Sequence, residues 1–137
     1  MIEGWHDDDY LILFDDTDVE DLTARYGLAA YLAGYQIIGL CGWDDFIIRD
    51  LNGGLFSVPT VPMDRRYLRP LAFSIDRAKI VPDERFSGKI KWYVQPVVFG
   101  GSPTAEDNIS WVDLPQHIEY VKWWNQKYRE VSGDKPK

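Results

Sequence analysis

A chain of 137 residues with 45% hydrophobic and 15% aromatic side chains is long enough for one packed domain and short for a second core. Its single cysteine, Cys41, excludes an internal disulfide; set in an apolar run, it reads as a small buried hydrophobe rather than a nucleophile, which suits a reducing cytoplasm. The formal net charge of −7 is unevenly spread: residues 1–50 hold twelve acids against Arg25 and Arg49, whereas residues 51–137 hold thirteen basic and ten acidic residues. An acidic half repels phosphate backbones, so direct nucleic-acid binding is not expected, and a basic protein would be steered toward it.

The opening "MIEGWHDDDYLILFDD" has acids where a secretory signal would be basic, and its apolar run Leu11 to Phe14 is too short to span a bilayer. Neither export nor membrane insertion is expected, and the protein is placed in the cytoplasm. Thr17-Asp-Val-Glu20 has capping-box spacing, Asp18 and Asp21 suit the positive end of a helix, and Gly27 can stop it. A helix over about 18–26 follows, with Val19, Leu22 and Tyr26 on one face.

Two apolar runs, Tyr35 to Cys41 and Phe46 to Leu51, have strand character; Asn52-Gly53-Gly54 supplies a turn, and Leu55 to Pro59 supplies a third strand. Connections this short require an antiparallel meander. The unbroken apolar run Phe46-Ile47-Ile48 predicts a strand covered on both faces. "VPTVPMDRRYLRPL" cannot be a central strand, because Pro59, Pro62 and Pro70 donate no ladder hydrogen bond, and it reads as a loop with one helical turn near 64–68.

"LAFSI" at 71–75 is expected as a short strand. "KIKWYVQPVVF" from Lys89 to Phe99, alternating Ile90, Trp92 and Val94 with polar positions, is expected as a strand buried on one side and closed near Pro96. "GGSPTAEDN" is a surface loop. The last helix is capped by Asp113 with Pro115 in its first turn, and Leu114, Ile118, Val121, Trp124, Tyr128 and Val131 form a stripe that should face the sheet. Trp123 lies opposite that stripe, either exposed or covered by the Pro-rich loop. The tail "SGDKPK" is expected to be disordered, over about 132–137.

Chemistry-bearing motifs are sparse. The runs Asp7-Asp8-Asp9, Asp15-Asp16 and Asp44-Asp45 suggest a hard-cation site, but none has the ligand spacing of a calcium loop, and adjacent acids on a strand point to opposite faces. No zinc spacing can be built from one Cys and two His, and no nucleophile elbow or phosphate loop is present. His117 reads as a surface or packing residue. What remains is a recognition surface of acids interleaved with the aromatics Trp5, Tyr10, Tyr35 and Trp43, in which charge speeds association and Trp or Tyr supplies anchor area.

The segment "YQIIGLCGWDDFIIRDLNGGLFSVPTVPMD" resembles the core of the SUKH superfamily. The Ile38-Gly39 step, Asp50, the Gly53-Gly54 turn and Val58-Pro59 carry the likeness, over about thirty residues. The resemblance implies a central bent antiparallel sheet flanked by helices. It also implies an immunity protein without chemistry of its own, one that neutralises a toxin of contact-dependent or type VI systems.

The combined expectation is a single α+β domain over 1–137, with a bent, mainly antiparallel sheet and a long C-terminal helix packed on it. It is not expected to be an enzyme and needs no cofactor. It is expected to be a monomer or weak homodimer that binds a basic protein toxin through Trp5, Asp7, Asp8, Asp9, Trp43, Asp44 and Asp45. Two alternatives remain: a small metal-dependent hydrolase using the Asp runs, and a phage or secretion-apparatus structural subunit assembling through the Trp123 face.

Overall fold

A computed structural model describes residues 1–132; the expected disordered tail lies outside the described residues, apart from Ser132, which ends the last helix. Six strands form one antiparallel sheet in chain order: β1 (Ile2–His6), β2 (Asp9–Leu13), β3 (Gln36–Cys41), β4 (Asp45–Arg49), β5 (Leu55–Pro59) and β6 (Arg69–Pro70). A second antiparallel pair, β7 (Ile90–Tyr93) and β8 (Ile109–Val112), lies beside it. The helices are α1 (Asp16–Tyr26) and α2 (Leu114–Ser132). The architecture is the expected α+β single domain with a mainly antiparallel sheet.

The strand pleat sends Phe46 and Ile48 of β4 toward the helices and Ile47 to the other face, and all three are fully buried. On the helix face they meet Tyr10, Ile12, Ile37, Leu40 and Val58, covered by Val19, Leu22 and Tyr26 of α1 and Ile118 and Val121 of α2. On the other face, Leu11, Leu13 and Ile47 are covered by Leu71, Phe73, Ile75 and Ile80. Both helices therefore lie on one face, and an irregular strap from 71 to 80 closes the other.

A bulge in β3 makes the central pairing work. Ile37 pairs with Ile48 and Gly39 with Ile47, so Ile38 is the extra residue and Ile37 and Leu40 fall on the same face. A Cβ at Gly39 would lie 2.3 Å from the Ile12 carbonyl oxygen. The Ile-Gly step thus has a steric cause: the backbone of β2 passes where a side chain would stand.

Several expectations need correction. The N-terminal hairpin β1–β2 and the strand β8 were not anticipated, because "IEGWH" and "ISWV" are short and only weakly alternating in polarity. α1 begins before the Thr17 capping box: Asp15 is its N-cap without a side-chain cap bond, and the Asp15 carboxylate instead contacts the Met1 amino group at 2.6 Å. Gly27 does stop the helix, in the left-handed conformation at φ 75°. Residues 71–75 alternate half-buried and exposed as a strand would, but the segment crosses the sheet face and is not a strand. Only Leu71 N–H still bonds to β5, through the Leu55 carbonyl. The strand expected from Lys89 and closed near Pro96 ends already at Tyr93; Val94 is exposed, and Val97–Phe99 turns as a 3₁₀ helix.

The cap of α2 forms as a reciprocal box, with Gln116 N–H donating to Asp113 Oδ1 and Asp113 N–H donating to Gln116 Oε1. Its apolar stripe reaches the core through Ile118 and Val121, but Val131 is 67% exposed because the helix runs past the sheet. His117, expected as a surface or packing residue, packs in the interior: it is fully buried, and its Nδ1 shares a 2.6 Å hydrogen bond with the Tyr26 hydroxyl. Burial pushes its pKa down to about 3, so the ring stays neutral.

Substituting Gly39 by Ala should destabilise the fold by about 1–3 kcal/mol, because the β2 backbone must yield to the new methyl group. Urea unfolding checks this, with Gly53→Ala as a control for a left-handed turn glycine that meets no neighbouring atom.

Candidate functional site

The turn between β3 and β4 carries the acids of interest. Gly42 and Trp43 both take positive φ, 60° and 63°. The first is free for glycine; the second costs a tryptophan roughly 1–2 kcal/mol. Packing holds it there: Trp43 stacks on Tyr10 at 4.7 Å between centroids and meets Trp111 edge-on at 5.3 Å. Phe86 and Trp5 complete the cluster, and the Trp5 indole donates to Asp83 Oδ2 at 2.9 Å. Trp5 and Trp43 are thus half-buried in one aromatic cluster, and Trp43 joins the two sheets through Trp111.

Asp44 and Asp45 follow that strained residue and open onto a cleft of about 230 Å³. Pro59, Thr60 and Val61 form its near wall, and Trp92, Tyr93, Pro96, Val97 and Pro103 the other. The Tyr93 hydroxyl donates to Asp44 Oδ2 at 3.2 Å. Among the described residues neither carboxylate has a cation within 4 Å. Desolvation raises the pKa of both, and the charge of Asp44 raises that of Asp45 further. Lys91 near Asp44 and Arg69 near Asp45 oppose the shift without cancelling it.

The cleft wall at 59–61 is held by a side chain that sequence reasoning passed over. Asn125, fully buried on α2, accepts from Met63 N–H at 2.6 Å and donates from Nδ2 to the carbonyls of Thr60 and Val121, each at 2.8 Å. Just beyond, the Asp64 carboxylate caps the 3₁₀ turn Arg65–Tyr67 and pairs with Arg66 at 2.6 Å. The only signal in the sequence was a polar residue one position after Trp124 and four after Val121, on the flank of the apolar stripe of α2.

The other acids lie elsewhere. Asp7 and Asp8 are the two loop residues of the β1–β2 hairpin, where Asp7 pairs with Lys79 at 3.0 Å, and Asp9 is exposed at the start of β2. Asp15 and Asp16 lie at the start of α1. Among the described residues, no three His, Cys, Asp or Glu side chains are grouped so as to hold a metal ion. Cys41 is half-buried with its thiol pKa pushed up to about 12, chiefly by burial, which makes it a poor nucleophile.

An apolar ridge also begins at the cleft. Val97 and Val98 are 48% and 44% exposed, Phe99 lies 4.9 Å from Trp124, and Trp124 meets Trp123, itself 56% exposed. Trp123 is therefore not covered by the Pro-rich loop, and it sits at the far end of a ridge that starts in the cleft wall.

Two outcomes follow from this geometry. Asn125→Ala leaves the Met63 N–H and Thr60 carbonyl without their partner and should cost about 1–3 kcal/mol in urea unfolding. Asp45→Asn should stabilise the protein. Because the folded pKa of Asp45 is raised, its favourable contribution is complete below the unfolded value of 3.8 and is lost as pH rises through the folded value. At neutral pH the ionised carboxylate therefore opposes folding, and the variant should melt at a higher temperature than the wild type there. The gain should vanish near pH 3, as thermal melts across pH would show.

Against family models, curated proteins and solved structures, the chain gives no match in any of the three comparisons.

Proposed function

We propose that the chain is a recognition protein that captures a basic protein through the Asp44–Asp45 cleft, and that it acts as an immunity protein of the SUKH kind against a bacterial toxin. The observation that carries this reading is a pair of adjacent carboxylates, Asp44 exposed and Asp45 half-buried, whose charged form desolvation disfavours and which no cation among the described residues approaches within 4 Å, on the wall of a cleft rimmed by aromatic and proline residues. A cation delivered by a partner would offset that desolvation, and association with it would be favoured by the acidity of residues 1–50.

Three further features support the reading. The antiparallel sheet with helices packed on it suits the architecture that the central motif implies, and the Ile38-Gly39 step of that motif is required by close backbone approach. The ridge from Val97 to Trp123 offers apolar contact area continuous with the charged cleft, as recognition surfaces combine a desolvated anchor with surrounding contacts. No helix among the described residues is long and apolar enough to cross a membrane.

Tagged wild type and the double variant Asp44→Lys, Asp45→Lys are to be compared in pull-downs from the native cells at moderate salt. The captured protein is then expressed alone and together with each form. The expected result is one basic protein that arrests growth alone, is neutralised by the wild type, and is neither captured nor neutralised by the variant. Growth rescue by the double variant equal to wild type would move the surface elsewhere; a captured protein harmless on its own would remove the immunity reading.

A further inference from the structure

The cleft's volume, about 230 Å³, lies below the roughly 300–1,000 Å³ of pockets that enclose drug-sized ligands. That space corresponds to one long side chain rather than a cofactor. Its lining is of two kinds: the carboxylates of Asp44 and Asp45, and the apolar groups of Pro59, Val61, Trp92 and Pro96. A side chain with an apolar stem and a cationic head matches both.

The chain already presents a cation of its own here. Lys91 holds its Nζ over the Tyr93 ring, 5.2 Å from the centroid, and it is the charge that acts on Asp44. It stops short of an ion pair, since no Lys91 nitrogen lies within 4 Å of either carboxylate among the described residues. The aromatic face and the carboxylate thus form a cation-binding pair that the molecule's own lysine only partly satisfies. Between the two natural cations, guanidinium fits better: it is planar, stacks on aromatic faces, and offers several N–H donors in one fork to neighbouring carboxylates. An ammonium is a compact, strongly hydrated point charge that loses more on leaving water.

We infer that the cleft is a socket for a single arginine side chain of the basic protein partner, with Asp44 and Asp45 receiving the guanidinium and Lys91 acting as the chain's own competing cation. The identity of that partner rests on the recognition reading above; the socket itself can be tested without the partner.

The probe is a capped Gly-Arg-Gly tripeptide, with lysine and citrulline counterparts, titrated into the isotope-labelled full chain and followed by amide and indole NMR. Arginine should produce saturable shifts at the Trp92 indole and at the amides of Asp44, Asp45 and Val97. Citrulline, which keeps the shape without the charge, should produce none, and lysine should bind about tenfold more weakly. Asp44→Asn should weaken arginine binding by about tenfold, whereas Lys91→Gln should strengthen it. Equal shifts with citrulline, shifts confined to residues away from the cleft, or weaker binding by Lys91→Gln would each overturn the socket. Arginine binding in the cleft together with failure of the growth assay would keep the socket and remove the immunity role. Growth rescue abolished by Asp44→Lys, Asp45→Lys without arginine binding would do the reverse.

Discussion

Three consecutive apolar residues, Phe46, Ile47 and Ile48, set the terms for the whole molecule. A strand pleat sends such a run to both faces, so β4 is stable only if both faces of its sheet are kept from water. Two helices suffice for one face, where Val19, Leu22, Ile118 and Val121 meet Phe46 and Ile48. The other is closed without a helix, by the strap whose Leu71, Phe73, Ile75 and Ile80 lie over Ile47 and its neighbours. The His6 ring helps fasten that strap, accepting the Asp76 N–H at 3.0 Å and lying against Phe73. The bulge at Ile38 and the missing side chain at Gly39 are local solutions to the same demand, since they let Ile37 and Leu40 face the helices together while β2 passes close by.

The site is built on the edge of that arrangement and against its local preferences. Trp43 is held in a left-handed conformation by stacking with Tyr10 and by the surrounding aromatics, and the next two residues carry the carboxylates. Across the cleft, Asn125 ties the Thr60–Met63 segment to α2 with hydrogen bonds at both ends. One wall is therefore fixed by aromatic packing and the other by a buried amide. Between them are two charges that burial opposes. A fold selected for stability alone would have little use for that combination, and the proposed capture of a cationic partner would give it one.

The residues of this candidate cleft are only partly legible in the sequence. Asp44 and Asp45 were legible because acids between a Gly-Trp step and a fully apolar strand stand out along the chain. Asp7, Asp8 and Asp9 were grouped with them on charge alone, but the hairpin turn places Asp7 against Lys79. Acidic surroundings mark Trp5 and Trp43 as anchors along the chain; their ring partners Phe86 and Trp111 lie far from them in sequence, and no local pattern reports such a pairing. Asn125, Tyr93 and the prolines of the opposite wall have no motif to mark them, because their role is to hold or line a space that exists only after folding.

By itself the sequence determined the elements whose signals are local: the helix stop at Gly27, the meander from β3 to β5, the Asp113 cap of α2, and the burial of β4 on both faces. These depend on periodicity, on turn residues and on hydrogen bonds within a few positions. Tertiary structure alone decided that β1 and β2 join the sheet, that residues 71–80 cover a face rather than extend an edge, and that Asp44 and Asp45 meet Tyr93 and Pro96 across a cleft. Each of those outcomes depends on which distant segment supplies the missing hydrogen-bond partner or apolar cover, and that choice is made by packing the whole chain at once.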